Sequence, residues 1–201
     1  MATRPGERKN QILQVLAEML QAPKGEKITT AALAARLDVS EAALYRHFAS
    51  KAQMYEGLIG FVEEAVFGLI NKISAEQDSG LKQTHAIAAM LLSFAEKNPG
   101  MTRVLIGDAL VNENERLQMR INQLHDRLEA ALKQSLRLAA TQGEIDKDAD
   151  AADAGDAAPD PGARANLILA YIIGRWHQYA KSGFKRLPTE MWQKQGPMLL
   201  G

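Results

Sequence analysis

Apolar residues recur at helical spacing along most of this chain, and the intervals between those runs mark its organisation. From Asn10 to Leu20 they fall at Ile12, Val15, Leu16, Met19 and Leu20. That is the i, i+3, i+4, i+7, i+8 order of an amphipathic helix. Two short helical runs follow the Ala22–Lys27 loop, the first with Leu33 and Leu37 on one face and the second with Leu44 and Phe48. A long helix is predicted from Ser50, with Leu58, Phe61, Val62, Ala65, Leu69 and Ile73 as its buried stripe, ending at Asp78-Ser-Gly80. A further helix spans 83–96 with Ile87, Met90, Leu91 and Phe94 inward. Asn98-Pro-Gly100 stops it, because Pro and Gly both punctuate helices. A short helix over 101–110 comes next. A long one over 115–140 follows, seamed by Leu117, Ile121, Leu124, Leu128, Leu132 and Leu136. The last major helix covers 163–182. No strand pattern survives this reading, so the fold class is all-α. It consists of an N-terminal three-helix helix-turn-helix domain and a helical dimerisation and regulatory domain. The boundaries are a disordered basic arm at 1–9, the helix-turn-helix domain at 10–53, and a helical body at 54–201 carrying a flexible acidic loop at 143–162.

The two short helices carry the most specific local signals. Thr29 or Thr30 can cap the first, since a hydroxyl accepts a bond from an orphaned helix N–H. Ala31 to Arg36 is rich in alanine, the best helix former. Asp38 occupies a turn position that calls for positive φ, which Asp tolerates better than most residues. Val39 plugs the space between the helices and Ser40 caps the second one. Glu41 then sits where a negative charge suits the helix dipole. Ala42 and Ala43 are small enough to let the backbone come close to a groove wall. Leu44 and Phe48, at i and i+4, anchor the helix. Tyr45, Arg46 and His47 line its outer side, a hydroxyl, a guanidinium and an imidazole suited to phosphate oxygens. Ser50-Lys51 opens the next helix with a cap and a cation, a further phosphate position. A helix-turn-helix of this kind places its second helix in the major groove. Thr29, Tyr45, His47 and Lys51 are therefore expected on phosphates, together with Thr30 at the first helix. Ser40, Glu41, Ala42 and Ala43 are expected to face base edges, with Arg46 able to do either. An ordinary αα-hairpin is the plain alternative.

Val39-Ser-Glu-Ala-Ala-Leu-Tyr-Arg-His-Phe48 followed by Ser50-Lys51 resembles the signature of the TetR family of regulators, with Asp38 and Ala42 standing where that family usually has glycine. Lys97-Asn-Pro-Gly-Met-Thr-Arg103, Gly107-Asp-Ala-Leu110 and Arg116-Leu-Gln-Met-Arg-Ile-Asn-Gln-Leu124 resemble the branch of that family that blocks septum formation over the chromosome. The likeness covers roughly the first 140 residues. It implies a homodimer on palindromic double-stranded DNA, with paired dimers on one site, and the division protein FtsZ as partner. Candidate partner-binding residues are Glu63, Glu64, Asn71 and Asn98. It also implies a cytoplasmic, nucleoid-associated location. The alternative within the same family is a repressor released by a small molecule lodged among Met90, Phe94, Met101, Met119, Tyr171 and Trp176.

Composition changes this picture in two places. The net charge is zero, but residues 143–162 hold seven acidic groups and Lys147, a net −6 that leaves the rest of the chain at +6. A neutral total is thus compatible with a basic DNA face. That same stretch has almost no large apolar residue, hence the expected flexible loop. Leu167 to Ile173 is apolar nearly all round, which calls for cover on every side, either within the chain or across a two-fold interface with the 115–140 helix. The chain has no cysteine, so no disulfide framework or thiolate chemistry. No apolar run is long enough for a membrane span, and the start lacks a signal-peptide pattern. His47, His85, His125 and His177 lack metal-ligand spacing. Gly57, Gly60 and Gly68 lie inside a helical run rather than after a strand. Neither an enzyme, a metal nor a cofactor is expected.

Overall fold

The computed structural model describes residues 6–22, 28–145 and 160–200. Within them all regular structure is helical, with no strand. The helices are α1 (Glu7–Met19), α2 (Thr30–Arg36), α3 (Glu41–Tyr45), α4 (Lys51–Glu76), α5 (Gly80–Lys97), α6 (Pro99–Leu105), α7 (Glu115–Gln142), α8 (Pro161–Lys181) and α9 (Trp192–Leu200). A single 3-10 turn at Asp108–Leu110 lies between α6 and α7. No helix among the described residues is long and apolar enough to cross a membrane.

The chain divides into two compact units, Met1–Glu64 with Asn98–Ile121, and Ala65–Lys97 with Asn122–Gly201. The unit carrying the helix-turn-helix therefore runs past residue 53 and takes in α6 and the start of α7. Its core is one cluster. Ile12, Leu16 and Leu20 of the first helical segment pack with Leu33, Leu44, Phe48, Met54, Tyr55, Leu58, Ile59, Val104, Leu117 and Ile121. Gly100 lets α6 lie directly on α1, since a Cβ there would stand 1.9 Å from the Ala17 carbonyl oxygen. Arg103, one turn on, donates to the carbonyls of Leu20 and Ala22, both at 3.1 Å, and pairs with Asp108 at 3.2 Å. Two carbonyls just past the end of α1 are thus satisfied by a guanidinium from α6.

The second unit buries Leu91, Leu128, Leu132, Leu136, Ile168, Ile172 and Trp176. The Trp176 indole N–H donates to the Leu91 carbonyl at 3.2 Å, giving the α5·α8 contact a polar pin inside an apolar core. The N-terminus of α5 is closed by residues at and just after the end of α7. Gln142 accepts from the Gly80 N–H, and Glu144 accepts from the Leu81 N–H at 2.9 Å. Gly80 permits this, because a Cβ there would meet the Ala139 backbone nitrogen at 2.2 Å.

Several expectations shift. The arm expected over 1–9 is helical from Glu7, extending the first helix three residues ahead of the predicted start; residues 1–5 lie outside the described residues. The loop expected over 143–162 is ordered at both ends. Ile145 is buried, and Asp160 caps α8 through the Gly162 and Ala163 N–H groups. Residues 146–159 lie outside the described residues. The buried stripe of α4 runs Tyr55, Leu58, Ile59, Val62, Val66 and Ile70, whereas Phe61 is 50% exposed and Leu69 42%. Both sets have helical spacing, and neighbouring apolar residues blurred which face was inner. The predicted 101–110 helix is split: α6 starts at Pro99 and ends at Leu105, and Gly107 turns left-handed at φ +76° before the 3-10 turn. The final helix, α9, escaped prediction because Gly196 and Pro197 interrupt its pattern.

Candidate nucleic-acid interface

The helix-turn-helix is built from local chemistry. Thr29, rather than Thr30, caps α2, its hydroxyl accepting from the Ala32 N–H at 3.1 Å. At the other end Asp38 adopts φ +53°. The Val39 N–H reaches the Ala34 carbonyl at 3.0 Å and the Asp38 N–H the Ala35 carbonyl at 3.2 Å. This pair of bonds around a left-handed residue is a Schellman closure. It leaves Val39 packed against the core cluster. Ser40 then caps α3, accepting from the Ala43 N–H at 3.3 Å. Leu44 and Phe48 are buried and hold α3 down. The α-helical part of α3 spans only Glu41–Tyr45, with the chain turning through Arg46 and His47.

Burial on one side leaves a defined outer face. Thr29, Ser40, Glu41, Ala42, Tyr45 and Arg46 are exposed, and Thr30, Ala43 and His47 are half-buried. The face carries a short polar chain. The Tyr45 hydroxyl donates to the Thr30 hydroxyl at 3.5 Å, and the Thr30 hydroxyl donates to the Glu41 carboxylate at 2.6 Å. Thr30 is therefore the link between α2 and α3, not a cap.

Lys51 stands at the first turn of α4, where Ser50 accepts from the Gln53 N–H and Gln53 accepts from the Ala49 N–H. Its ammonium is not directed outward alone. It forms an ion pair with Glu113 at 2.5 Å, with the two side chains 26% and 20% exposed. Lys51 also lies 5.7 Å from the centroid of the Tyr55 ring. Burial pushes the Tyr55 hydroxyl above the ordinary phenol range, with the Glu113 charge adding to the shift and Arg103 opposing it. Glu113 was not singled out from the sequence, and no short-range signal marks it, because it lies 62 positions from its partner. Lys9, assigned to the arm, stands on α1 with its ammonium 5.7 Å from the Phe48 ring.

Of the four partner-binding candidates, Glu63, Glu64 and Asn98 lie in the first unit and Asn71 in the second. Glu63 is engaged by Arg120 at 2.6 Å and its side chain is only 18% exposed. Glu64 is exposed, and Asn98 is half-buried with its carbonyl accepting from Thr102. Asn71 is exposed and belongs to the second unit. Phe61, which had been assigned to the core, instead borders an open groove of about 400 Å³ in the first unit with Leu13, Ala17, Leu58, Asn98 and Met101.

A capped α2, a left-handed turn and a short, outward-facing α3 define a helix-turn-helix regulator. Residues 16–58 match the family described as bacterial regulatory proteins, tetR family, and residues 78–201 match the tetracyclin repressor-like C-terminal domain. Similar proteins include the nucleoid occlusion factor SlmA of Idiomarina loihiensis, 48% identical over 97% of this chain and 94% of the relative. That of a Marinomonas species is 46% identical over 99% and 96%. A TetR-family transcriptional regulator from Agrobacterium tumefaciens superposes with TM-score 0.77 at 15% identity, covering 98% of this chain and 97% of that one. The fatty acid degradation regulator FadR from Bacillus halodurans superposes with TM-score 0.75 at 15% identity, covering 100% and 97%. The chain belongs to the TetR family, and within it to the nucleoid occlusion factor SlmA group. It is thereby one of a family of DNA-binding regulators.

Proposed function

We propose that this chain acts as a homodimeric nucleoid occlusion factor, binding palindromic chromosomal sites as paired dimers and inhibiting FtsZ assembly and septum formation there. The observation that carries the DNA part of this reading is the α2–α3 unit. Two side-chain caps and a closed left-handed turn fix its outer face, so that Ser40, Glu41, Ala42 and Ala43 approach base edges. Thr29, Thr30, Tyr45 and His47 flank them toward phosphates, with Arg46 able to reach either. Helix-turn-helix proteins read two half-sites about 34 Å apart, which requires two copies. The exposed side of α8 supports a two-fold contact. Leu167 is 54% exposed there, and Ala170 is exposed one turn along the same face. Glu64, Asn71 and Asn98 remain candidate contacts to FtsZ, with Glu63 available only after release from Arg120. The exposed Phe61 adds an apolar anchor that the sequence reading had placed in the core. Such a body fits a cytoplasmic protein held on the nucleoid by its DNA head.

Site-bound protein would favour the partner-competent state by linkage, so DNA and FtsZ should strengthen each other's binding. Sedimentation of FtsZ polymers tests this. The expected result is loss of pelletable polymer with the full chain plus a duplex recovered from chromosomal fragments, and a smaller loss without DNA. Polymer yield unchanged under both conditions would overturn the FtsZ reading while leaving the DNA reading intact.

A further inference from the structure

The Lys51–Glu113 pair places a carboxylate beside a cation of the DNA face, in the partly buried nest that also holds Tyr55. We propose that Glu113 competes with DNA phosphate for the Lys51 ammonium, acting as a built-in counter-charge that lowers DNA affinity and ties phosphate binding at α4 to the 106–114 connection. The inference rests on the DNA-binding reading above. Its physical basis is the separation of the two groups and their surroundings. At 2.5 Å the ammonium and carboxylate are in direct hydrogen-bonded contact. A phosphate at the same ammonium would lie close to the Glu113 charge, and like charges at that range repel. Phosphate and carboxylate thus compete for the three ammonium protons, and any turn of Lys51 toward the phosphate leaves the carboxylate with less compensation. The buried phenol beneath it provides no second cation, and Arg103 is already engaged by Asp108, Leu20 and Ala22.

Two measurable consequences follow. A lysine neutralised by its own carboxylate displaces few of the counter-ions condensed on DNA, so it adds little to the salt dependence of binding. Freed from Glu113, it adds close to one phosphate contact, a steepening of the logarithmic salt slope of about 0.9. The affinity gain should be that of a partly exposed ion pair removed, about two- to fivefold.

The test is a double-mutant cycle on the full chain, with a labelled duplex selected from chromosomal DNA by the wild-type protein and titrations over a range of salt. Glu113→Gln keeps the shape of the side chain and one acceptor oxygen while removing the charge, and should tighten binding and steepen the slope. Lys51→Met should weaken binding. Glu113→Gln placed in the Lys51→Met background should give no gain, because the carboxylate then has no ammonium to withhold. Weaker or unchanged binding by Glu113→Gln overturns the proposal. So does a gain that persists without Lys51, which would mark simple removal of negative charge near DNA. If the wild-type chain binds no chromosomal duplex at low salt, the DNA-binding reading itself fails. A thermal melt of each variant separates binding effects from unfolding.

Discussion

Gly100→Ala tests the packing of α6 on α1 that supports the DNA-binding unit. The new Cβ would stand 1.9 Å from the Ala17 oxygen, 2.9 Å from the Ala17 carbonyl carbon and 3.2 Å from the Leu20 Cβ. The first two atoms belong to helical backbone, so no side-chain rotation relieves them. A retreat of α6 by about 1.1 Å only reaches the 3.0 Å below which Cβ contacts are essentially never seen. Arg103 moves with α6. Its two bonds to Leu20 and Ala22, both 3.1 Å, would stretch beyond hydrogen-bonding range. Overpacking costs about 1–3 kcal/mol, and loss of bonds from a mostly buried guanidinium adds about 1.5–3 kcal/mol. The sum, about 2.5–6 kcal/mol, corresponds to a fall in Tm of roughly 5–24 °C for a chain of this size. The assay is a circular-dichroism melt at neutral pH, run beside Gly68→Ala. Gly68 lies inside α4 with nothing within 4 Å of its would-be Cβ. Alanine there should stabilise by about 0.5–1 kcal/mol through helix propensity. Opposite shifts are expected. A Gly100→Ala melt that coincides with wild type would refute the close approach and the reasoning built on it.

Two further outcomes follow from the same structure. Asp38 holds φ +53°, so Asp38→Val should cost about 1–2 kcal/mol in urea unfolding, while Asp38→Gly should stay within about 0.5 kcal/mol of wild type because eased strain and a floppier unfolded chain oppose each other. Equal stability of the Val variant would deny that the turn needs a left-handed residue. Hydrogen bonds from the Leu81 N–H and the Ser79 side chain hold the Glu144 carboxyl below the ordinary carboxylate range. A depressed pKa gives stability that is present above the unfolded value and lost as pH falls through the folded one. Melts from neutral to acid pH should thus show a steeper acid decline for wild type than for Glu144→Gln, and identical pH profiles would contradict the cap on α5.

What could be read in advance was local. The hydroxyl caps, the αL position at Asp38, the Leu44–Phe48 anchor and the outward set from Ser40 to His47 all depend on residues within about one helical turn of each other. The outer face of the helix-turn-helix was legible for that reason. Non-local partnerships were not. Nothing near Lys51 in sequence announces Glu113, and nothing near Glu63 announces Arg120, 57 positions away. The inner face of α4 was misjudged because apolar residues occupy adjacent positions there, so two stripes fit one helical period. Phe61 and Leu69 were placed inside on that account. Glycine-dependent approaches at Gly80 and Gly100 are equally silent in a pattern of apolar positions, since they concern what a missing side chain allows between helices far apart in the chain.

In the DNA-bound state proposed above, Glu41 would meet the duplex with a hydrogen already in hand, the Thr30 hydroxyl at 2.6 Å. A cytosine or adenine amino group can substitute for that hydrogen, so such a base trades one partner for another. Guanine shows only acceptors along its major-groove edge. Opposite this carboxylate it would bring lone pairs against lone pairs and still strip away the threonine. In that proposed role Glu41 would turn away guanine and thymine, whose major-groove edges carry no donor, as much as it would favour cytosine or adenine.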